Sequence, residues 1–223
     1  VMREFITSNA TETDPKLMRK YVKEDLPRWL IDRWQEAIDG DLRYHPYTDE
    51  ERAKARLEAR TAKPAQLPKY MPYATSLLVL GVTDFYLIVL NIGDGNIGTV
   101  TSLGDSELLM HNDGEKLVGV LSLRDPMPYV KSAIVPLGKY PPALISGNTD
   151  GFRQAFDSAG EFMMEGTDML QQIRKLGLLQ ISQNLQVWLR NRAGNGSGDD
   201  MSLGLIYLLN DYQSHSHLRK QFS

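Results

Sequence analysis

The spacing of apolar residues along the chain changes twice, and each change predicts a different kind of structure. In the first part it is helical. Leu26, Trp29, Leu30, Trp34, Ala37, Ile38 and Leu42 recur at three-and-four spacing, which predicts one buried helix face. Asp14-Pro15 reads as a helix start, a cap followed by a first-turn proline, and Asp25-Leu26-Pro27 repeats the signal. A second helix is therefore expected to begin at Asp25 rather than the first running on. Asp39-Gly40 interrupts it mildly and His45-Pro46 ends it. Thr48-Asp49-Glu50-Glu51 matches a capping box, with Thr48 as cap and Glu51 reaching back. The stretch from Ala62 to Pro72 reads as a loop.

From Ala74 the pattern is that of strands. Leu77 to Val82, a Thr83-Asp84 turn and Phe85 to Ile92 predict a hairpin of buried strands, and Gly98 to Leu103 is expected to continue the meander. Asn112-Asp113-Gly114 is a further turn signal, and Pro126, Pro128, Pro136, Pro141 and Pro142 mark loops. Ala143 to Ser146 reads as a short buried strand. After Gly151 the helical period returns, through Phe152, Phe156, Phe162, Met169, Leu170 and Ile173 to a stop at Gly177. Leu178 to Asn191 predicts another helix with Leu185, Trp188 and Leu189 on its buried side, followed by a glycine-rich loop at Gly194 to Asp200 and a final strand.

Strands and helices that segregate in this way imply helix layers on antiparallel sheet rather than an alternating parallel sheet. The chain reads as one α+β domain over 1–223, mostly helical over 1–60, with antiparallel strands over 74–150, a helix pair over 151–193 and a last strand over 200–210. It shows no internal repeat and no low-complexity tract.

Composition narrows the function classes. With 42% apolar and 24% charged residues the chain has the makeup of a globular protein. A net charge of −3 argues against a dedicated nucleic-acid binder, which needs a basic face. No apolar run reaches the roughly 20 residues of a membrane span, and the first residues do not form a signal peptide. With no cysteine, thiolate metal sites and cysteine nucleophiles are excluded, and a cytoplasmic location is expected.

Three turns place an aspartate beside an apolar run: Asn91-Ile92-Gly93-Asp94-Gly95, Gly147-Asn148-Thr149-Asp150-Gly151 and Gly196-Ser197-Gly198-Asp199-Asp200-Met201-Ser202. Carboxylates next to glycines suit a hard divalent cation. Each turn also has a plainer reading. Asp94-Gly95 is a favoured hairpin turn, Asp150 would cap a helix beginning at Phe152, and Asp199-Asp200 would be a solvated loop. Gly93 to Gly98 spells a dinucleotide fingerprint, but Thr99-Val100-Thr101 continues as strand where a helix must open. A calcium loop starting at Asp94 fails because Thr99 stands where glycine is needed. The four histidines have no zinc spacing and read as surface or packing residues.

Taken together with Ala74-Thr75-Ser76-Leu77-Leu78, these turns resemble the metal-dependent protein phosphatases of the 2C family, particularly the bacterial branch. The last motif, from Gly196 to Leu203, is the most specific. The resemblance implies a sandwich of two antiparallel sheets flanked by helices, with Mn²⁺ or Mg²⁺ at one end. It implies Asp150 and Asp199 as metal ligands, Asp94 bordering a weaker site, and Gly151 contributing as backbone beside Asp150. In the family, paired metals about 3.5–4 Å apart acidify the water that attacks phosphorus, and the substrate is a phosphoserine or phosphothreonine protein.

One departure stands out. The family's early Asp-Gly-His-Gly-like motif has no match, since Asp39-Gly40-Asp41 lies at the end of a helical stretch and lacks the histidine. The early phosphate-binding arginine is likewise unmatched. The chain is therefore expected to be N-terminally incomplete and weakly active or inactive. The alternatives are a degenerate relative used for protein interaction, or an unrelated α+β domain with ordinary acidic turns. Missing strands would leave a sheet edge unpaired, open to dimerisation or to a partner segment.

Overall fold

A computed structural model describes residues 1–58, 68–111, 119–138, 141–195 and 198–208. The Asn112-Asp113-Gly114 turn, Gly196-Ser197, His215, His217 and most of the loop expected after Ala62 lie outside these residues. The chain divides into two compact units, the first formed by Val1–Gly95 with Asn112–Pro136, the second by Asn96–His111 with Leu137–Ser223.

The first unit opens with α1 (Met2–Ser8) and α2 (Pro15–Lys20), the latter started as expected by the Asp14 side chain, which accepts the Lys16 N–H at 2.8 Å. The chain does not break at Asp25. A wide π turn over Tyr21–Asp25 leads straight into α3 (Leu26–Leu42), so the expected second start is a continuation. Pro27 lacks the N–H that a regular α turn would use, and the wider turn just ahead of it lets the backbone run on. The capping box ahead of α4 (Asp49–Glu58) forms both ways: the Thr48 N–H donates to Glu51 Oε2 at 2.8 Å, and the Glu51 N–H to Thr48 Oγ1 at 3.2 Å.

Strands β1 (Leu77–Val82) and β2 (Tyr86–Ile92) form the predicted hairpin, Leu77 opposite Ile92 and Val82 opposite Leu87. A strand that the prolines concealed, β5 (Lys131–Pro136), pairs on the other side of β2, giving the order β1-β2-β5. As an edge strand it tolerates Pro136 at its end, because no interior ladder bond is lost there. Met18, Val22 and Leu26 bury in one cluster with Ile88, Leu90 and Ile92 of β2, and Trp29, Leu30 and Trp34 pack against it. The N-terminal part of the helix face predicted from spacing thus meets a sheet; Ala37 of that face is exposed, and Ile31, outside it, is buried.

The second unit holds β3 (Asn96–Thr101), β4 (Ser106–Met110), β6 (Pro142–Asn148) and β7 (Leu203–Tyr207), antiparallel in the order β4-β3-β6-β7. The expected meander is corrected at this point. β2 and β3 are consecutive but lie in different sheets, so Asp94-Gly95 is no hairpin turn. Two antiparallel sheets with helices make this an α+β fold, as the family resemblance implied.

Three helices complete the unit. They are α5 (Asp150–Gln154), α6 (Ala159–Leu176, capped by Ser158) and α7 (Leu178–Asn195). Gly177, at φ +88°, makes the break between the last two, as its position suggested. Leu170 and Ile173 of α6 pack with Val100 and Leu144 of the sheet, while Phe152, Phe156 and Phe162 form a second cluster against Trp188.

A partly buried ion pair ties α6 to α7. Arg192 reaches Glu165 Oε2 at 3.1 Å, and its guanidinium lies 4.1 Å from the centre of the Phe156 ring. Burial pushes the Glu165 carboxyl above its ordinary value despite the opposing pull of Arg192. A raised folded value means that the folded state takes up the proton more readily than the unfolded chain. Its contribution is therefore fully present below the ordinary glutamate range and fades as pH rises through the raised value. Glu165→Gln is expected to flatten the pH dependence of stability just above 4.5, measured as urea midpoints across that interval. A profile parallel to wild type would show that Glu165 is not the group responsible.

Candidate metal centre

Two of the sequence motifs meet in the first unit. The Asn91 amide folds back on its own turn, donating to the Gly95 carbonyl at 2.9 Å and to that of Gly93 at 3.4 Å. Gly93 sits at φ +133°, and a Cβ built on it would lie 2.4 Å from the Ser76 Cβ. The close approach of Gly93 thus joins the Ala74-Thr75-Ser76 segment to the Asn91–Gly95 turn. Asp94 is half-buried at the tip of that turn.

In the second unit the other two motifs are latched together, and the latch is Thr149. Its backbone N–H donates to the Ser202 carbonyl at 3.1 Å, and its hydroxyl accepts the Ser202 N–H at 3.0 Å. The same hydroxyl donates to the Asp200 carbonyl at 3.4 Å. Thr149 holds the cap position of α5, yet its side chain makes no bond to the helix. The expectation that Asp150 caps a helix beginning at Phe152 is corrected. Asp150 is itself the first helical residue, and its Oδ2 accepts from Gln154 at 2.9 Å.

Gly151 allows the closest contact. A Cβ there would come 2.5 Å from the Asp200 carbonyl oxygen and 3.2 Å from the Asp199 Cβ. Only a residue without a side chain lets the Asp199-Asp200 backbone lie this near α5. Asp150 and Asp199 are therefore carried on adjoining backbone segments. Asp199 is exposed, with Oδ1 accepting the Asp200 N–H at 2.8 Å, and Gly198 before it turns at φ +70°.

Asp150 and Asp199 carry hard oxygen donors, the ligand type that Mg²⁺ and Mn²⁺ take. Among the described residues no group of three or more histidine, aspartate or glutamate side chains could hold a metal ion. Asp150, Gly151 and Asp199 belong to the second unit and Asp94 to the first. The Asp39-Gly40-Asp41 letters fall in the last turns of α3 and are otherwise engaged. Asp39 pairs with Lys69 at 2.6 Å, while Asp41 accepts from Tyr73 at 2.5 Å and bonds the His45 ring at 2.9 Å. The hydrogen bond and charge of Lys69 hold the Asp39 carboxyl below its usual range, and hydrogen bonds from Tyr73 and His45, with the charge of His45, do the same for Asp41.

Thr149 and Ser202 had no role in the sequence reading, although both stand inside the motifs. Their pairing spans 53 positions, and no local spacing announces it. Asn148 was missed as well. It is buried, its Oδ1 accepts from Asn96 at 3.4 Å, and its Nδ2 has no partner among the described residues. Thr149→Val removes the hydroxyl at nearly constant volume. It is expected to cost about 1 kcal/mol of stability, the usual worth of such hydrogen bonds. Mn²⁺ affinity, read by calorimetry, should fall with it, and Thr149→Ser should restore both. Unchanged Mn²⁺ affinity in the valine variant would show that the latch does not position the carboxylates.

A family model described as protein phosphatase 2C matches residues 1–190. No curated protein matches the chain. Among solved structures, a bacterial serine phosphatase is 13% identical, with a TM-score of 0.40, and the match covers 87% of this chain and 70% of that one. An arginine-to-lysine variant of a bacterial serine phosphatase is 14% identical at a TM-score of 0.43, with 70% and 64% covered. An arginine-to-alanine variant is 15% identical at 0.38, and there this chain spans only 53% of the solved one.

Proposed function

Because the chain belongs to the protein phosphatase 2C family, we propose that it acts on phosphoserine and phosphothreonine in protein substrates, hydrolysing the phosphomonoester with the help of a divalent cation. The observation that supports this most directly is the contact of Gly151 with the Asp199-Asp200 backbone, which puts two carboxylates on adjoining segments. Asp150 and Asp199 would hold Mn²⁺ or Mg²⁺, Gly151 would contribute through its backbone, and Asp94 would serve a further, weaker position. A bound ion would supply positive charge to a phosphoryl group and lower the pKa of a water.

The chain's own residues do the positioning. Thr149 and Ser202 fix the spacing of the two acidic segments. The Gln154 amide holds one oxygen of Asp150 and leaves the other to point elsewhere. The Asp200 N–H holds Oδ1 of Asp199. With no third carboxylate assembled among the described residues, metal retention is expected to be poor and phosphate release slow. That same feature favours a second reading, in which the fold serves protein interaction and hydrolyses nothing.

Phosphate release from a phosphothreonine peptide separates the two. The phosphatase reading expects release with Mn²⁺, none with chelator, and at least a tenfold loss in Asp150→Ala, the equivalent of about 1.4 kcal/mol in the barrier. No release at any Mn²⁺ concentration, from a chain shown to be folded, would leave the interaction module.

A further inference from the structure

The outward side of α2 and of the wide turn after it carries one sign of charge. Lys16, Arg19, Lys20 and Lys23 are all exposed and follow one another at offsets of three and four residues, which stacks them on one helix face. Met18, Val22 and Leu26 turn the other way, into the core with β2. The helix is thus anchored by its apolar side and holds the cations out to solvent. This placement works against the helix itself. Lys16 and Lys20 are like charges four residues apart, as are Arg19 and Lys23, and at that spacing they repel. The first turn of α2 holds no acidic residue, whereas that of α4 holds Asp49, Glu50 and Glu51. Lys16 therefore adds to the positive end of the backbone dipole.

In a chain of net charge −3, cations gathered in this way make a local positive field, and an anionic partner removes their mutual repulsion as it binds. The surroundings choose the shape of that partner. Glu12 and Asp14 stand at one end of the stripe, and Glu24 and Asp25, both exposed, at the other. A bilayer or a nucleic acid presents an extended array of negative charge, which would press on these carboxylates as well as on the lysines. Because Met18, Val22 and Leu26 are buried, the helix also has no apolar side to insert into lipid. A short peptide meets the stripe alone. From Lys16 to Lys23 the helix rises about 10 Å, the span of about three residues of extended chain.

We propose that the face formed by Lys16, Arg19, Lys20 and Lys23 docks a short acidic run, about three or four consecutive aspartates or glutamates, in an extended segment of a partner protein. The surface lies wholly within the first unit. None of its residues belongs to the proposed metal centre, and docking is measurable whether or not the chain hydrolyses phosphate.

Fluorescein-labelled hexaglutamate is the probe, titrated with the full chain and followed by fluorescence anisotropy. At about 20 mM salt a Kd on the order of 0.1 mM is expected, weakening roughly tenfold at about 200 mM as screening shortens the reach of the charges. Lys16→Gln combined with Lys20→Gln should weaken binding by roughly tenfold and raise the urea midpoint, because each change removes a repulsion. Weaker binding together with higher stability is a pair of signs that a merely structural role would not produce. Lys175→Gln combined with Arg190→Gln, at exposed positions of α6 and α7, changes the net charge equally and should leave the Kd within about twofold. No binding at low salt, or equal weakening by the two double variants, would overturn the assignment. So would tighter binding of phosphatidylserine vesicles or of a thymidine hexanucleotide than of the peptide.

Discussion

Gly151→Ala is expected to lose nearly all metal-dependent phosphate release and about 1–3 kcal/mol of stability, the usual range for forcing an extra methyl into packed structure. The added carbon would fall 2.5 Å from the Asp200 carbonyl oxygen, far inside van der Waals contact. The obstacle is backbone, so no rotamer change relieves it. Either α5 or the Asp199-Asp200 segment must retreat, and the bonds from Thr149 to Ser202 stretch with it. Asp150 and Asp199 would then move apart, and the loss should appear first as weakened Mn²⁺ binding. Urea unfolding and Mn²⁺ calorimetry on the same sample separate the two effects. A variant that keeps wild-type Mn²⁺ affinity would show that the two acidic segments need not touch.

Gly93→Ala is expected to be the more damaging change to the first unit, at about 2–4 kcal/mol from strain and overlap combined. At φ +133° any side chain is strained, and here the new carbon would also lie 2.4 Å from the Ser76 Cβ. Unlike the obstacle at Gly151, part of this one is a side chain. Ser76→Gly removes the overlapping carbon, so the double variant should recover the overlap but not the strain, giving a favourable coupling in a double-mutant cycle. Thermal or urea unfolding of the four proteins measures it. Additive losses would mean that the segments do not meet as described.

Much of the fold could be seen in the amino-acid order because local rules governed it. Asp14 and Thr48 cap helices through bonds spanning two or three residues, and Gly177 separates α6 from α7 by its own backbone freedom. The β1-β2 hairpin follows from two apolar runs and a short turn. Where local rules competed with packing, the expectation failed. Pro27 signalled a start, but a π turn carried the helix through it. Prolines hid β5, because pairing with β2 is a long-range property and an edge strand tolerates them. Asp94-Gly95 looked like a hairpin because the sequence does not say which sheet a strand will join.

The candidate site divides in the same way. Its residue types, with Asp94, Asp150, Gly151 and Asp199 in glycine-bearing turns, were determined by the chain itself, because turn chemistry and carboxylate hardness are local. Their association was decided by the tertiary structure. Only β6 and β7 lying side by side brings Thr149 to Ser202 and Gly151 to Asp200, across some 50 intervening residues. Contacts at that separation depend on how two helices and two strands pack.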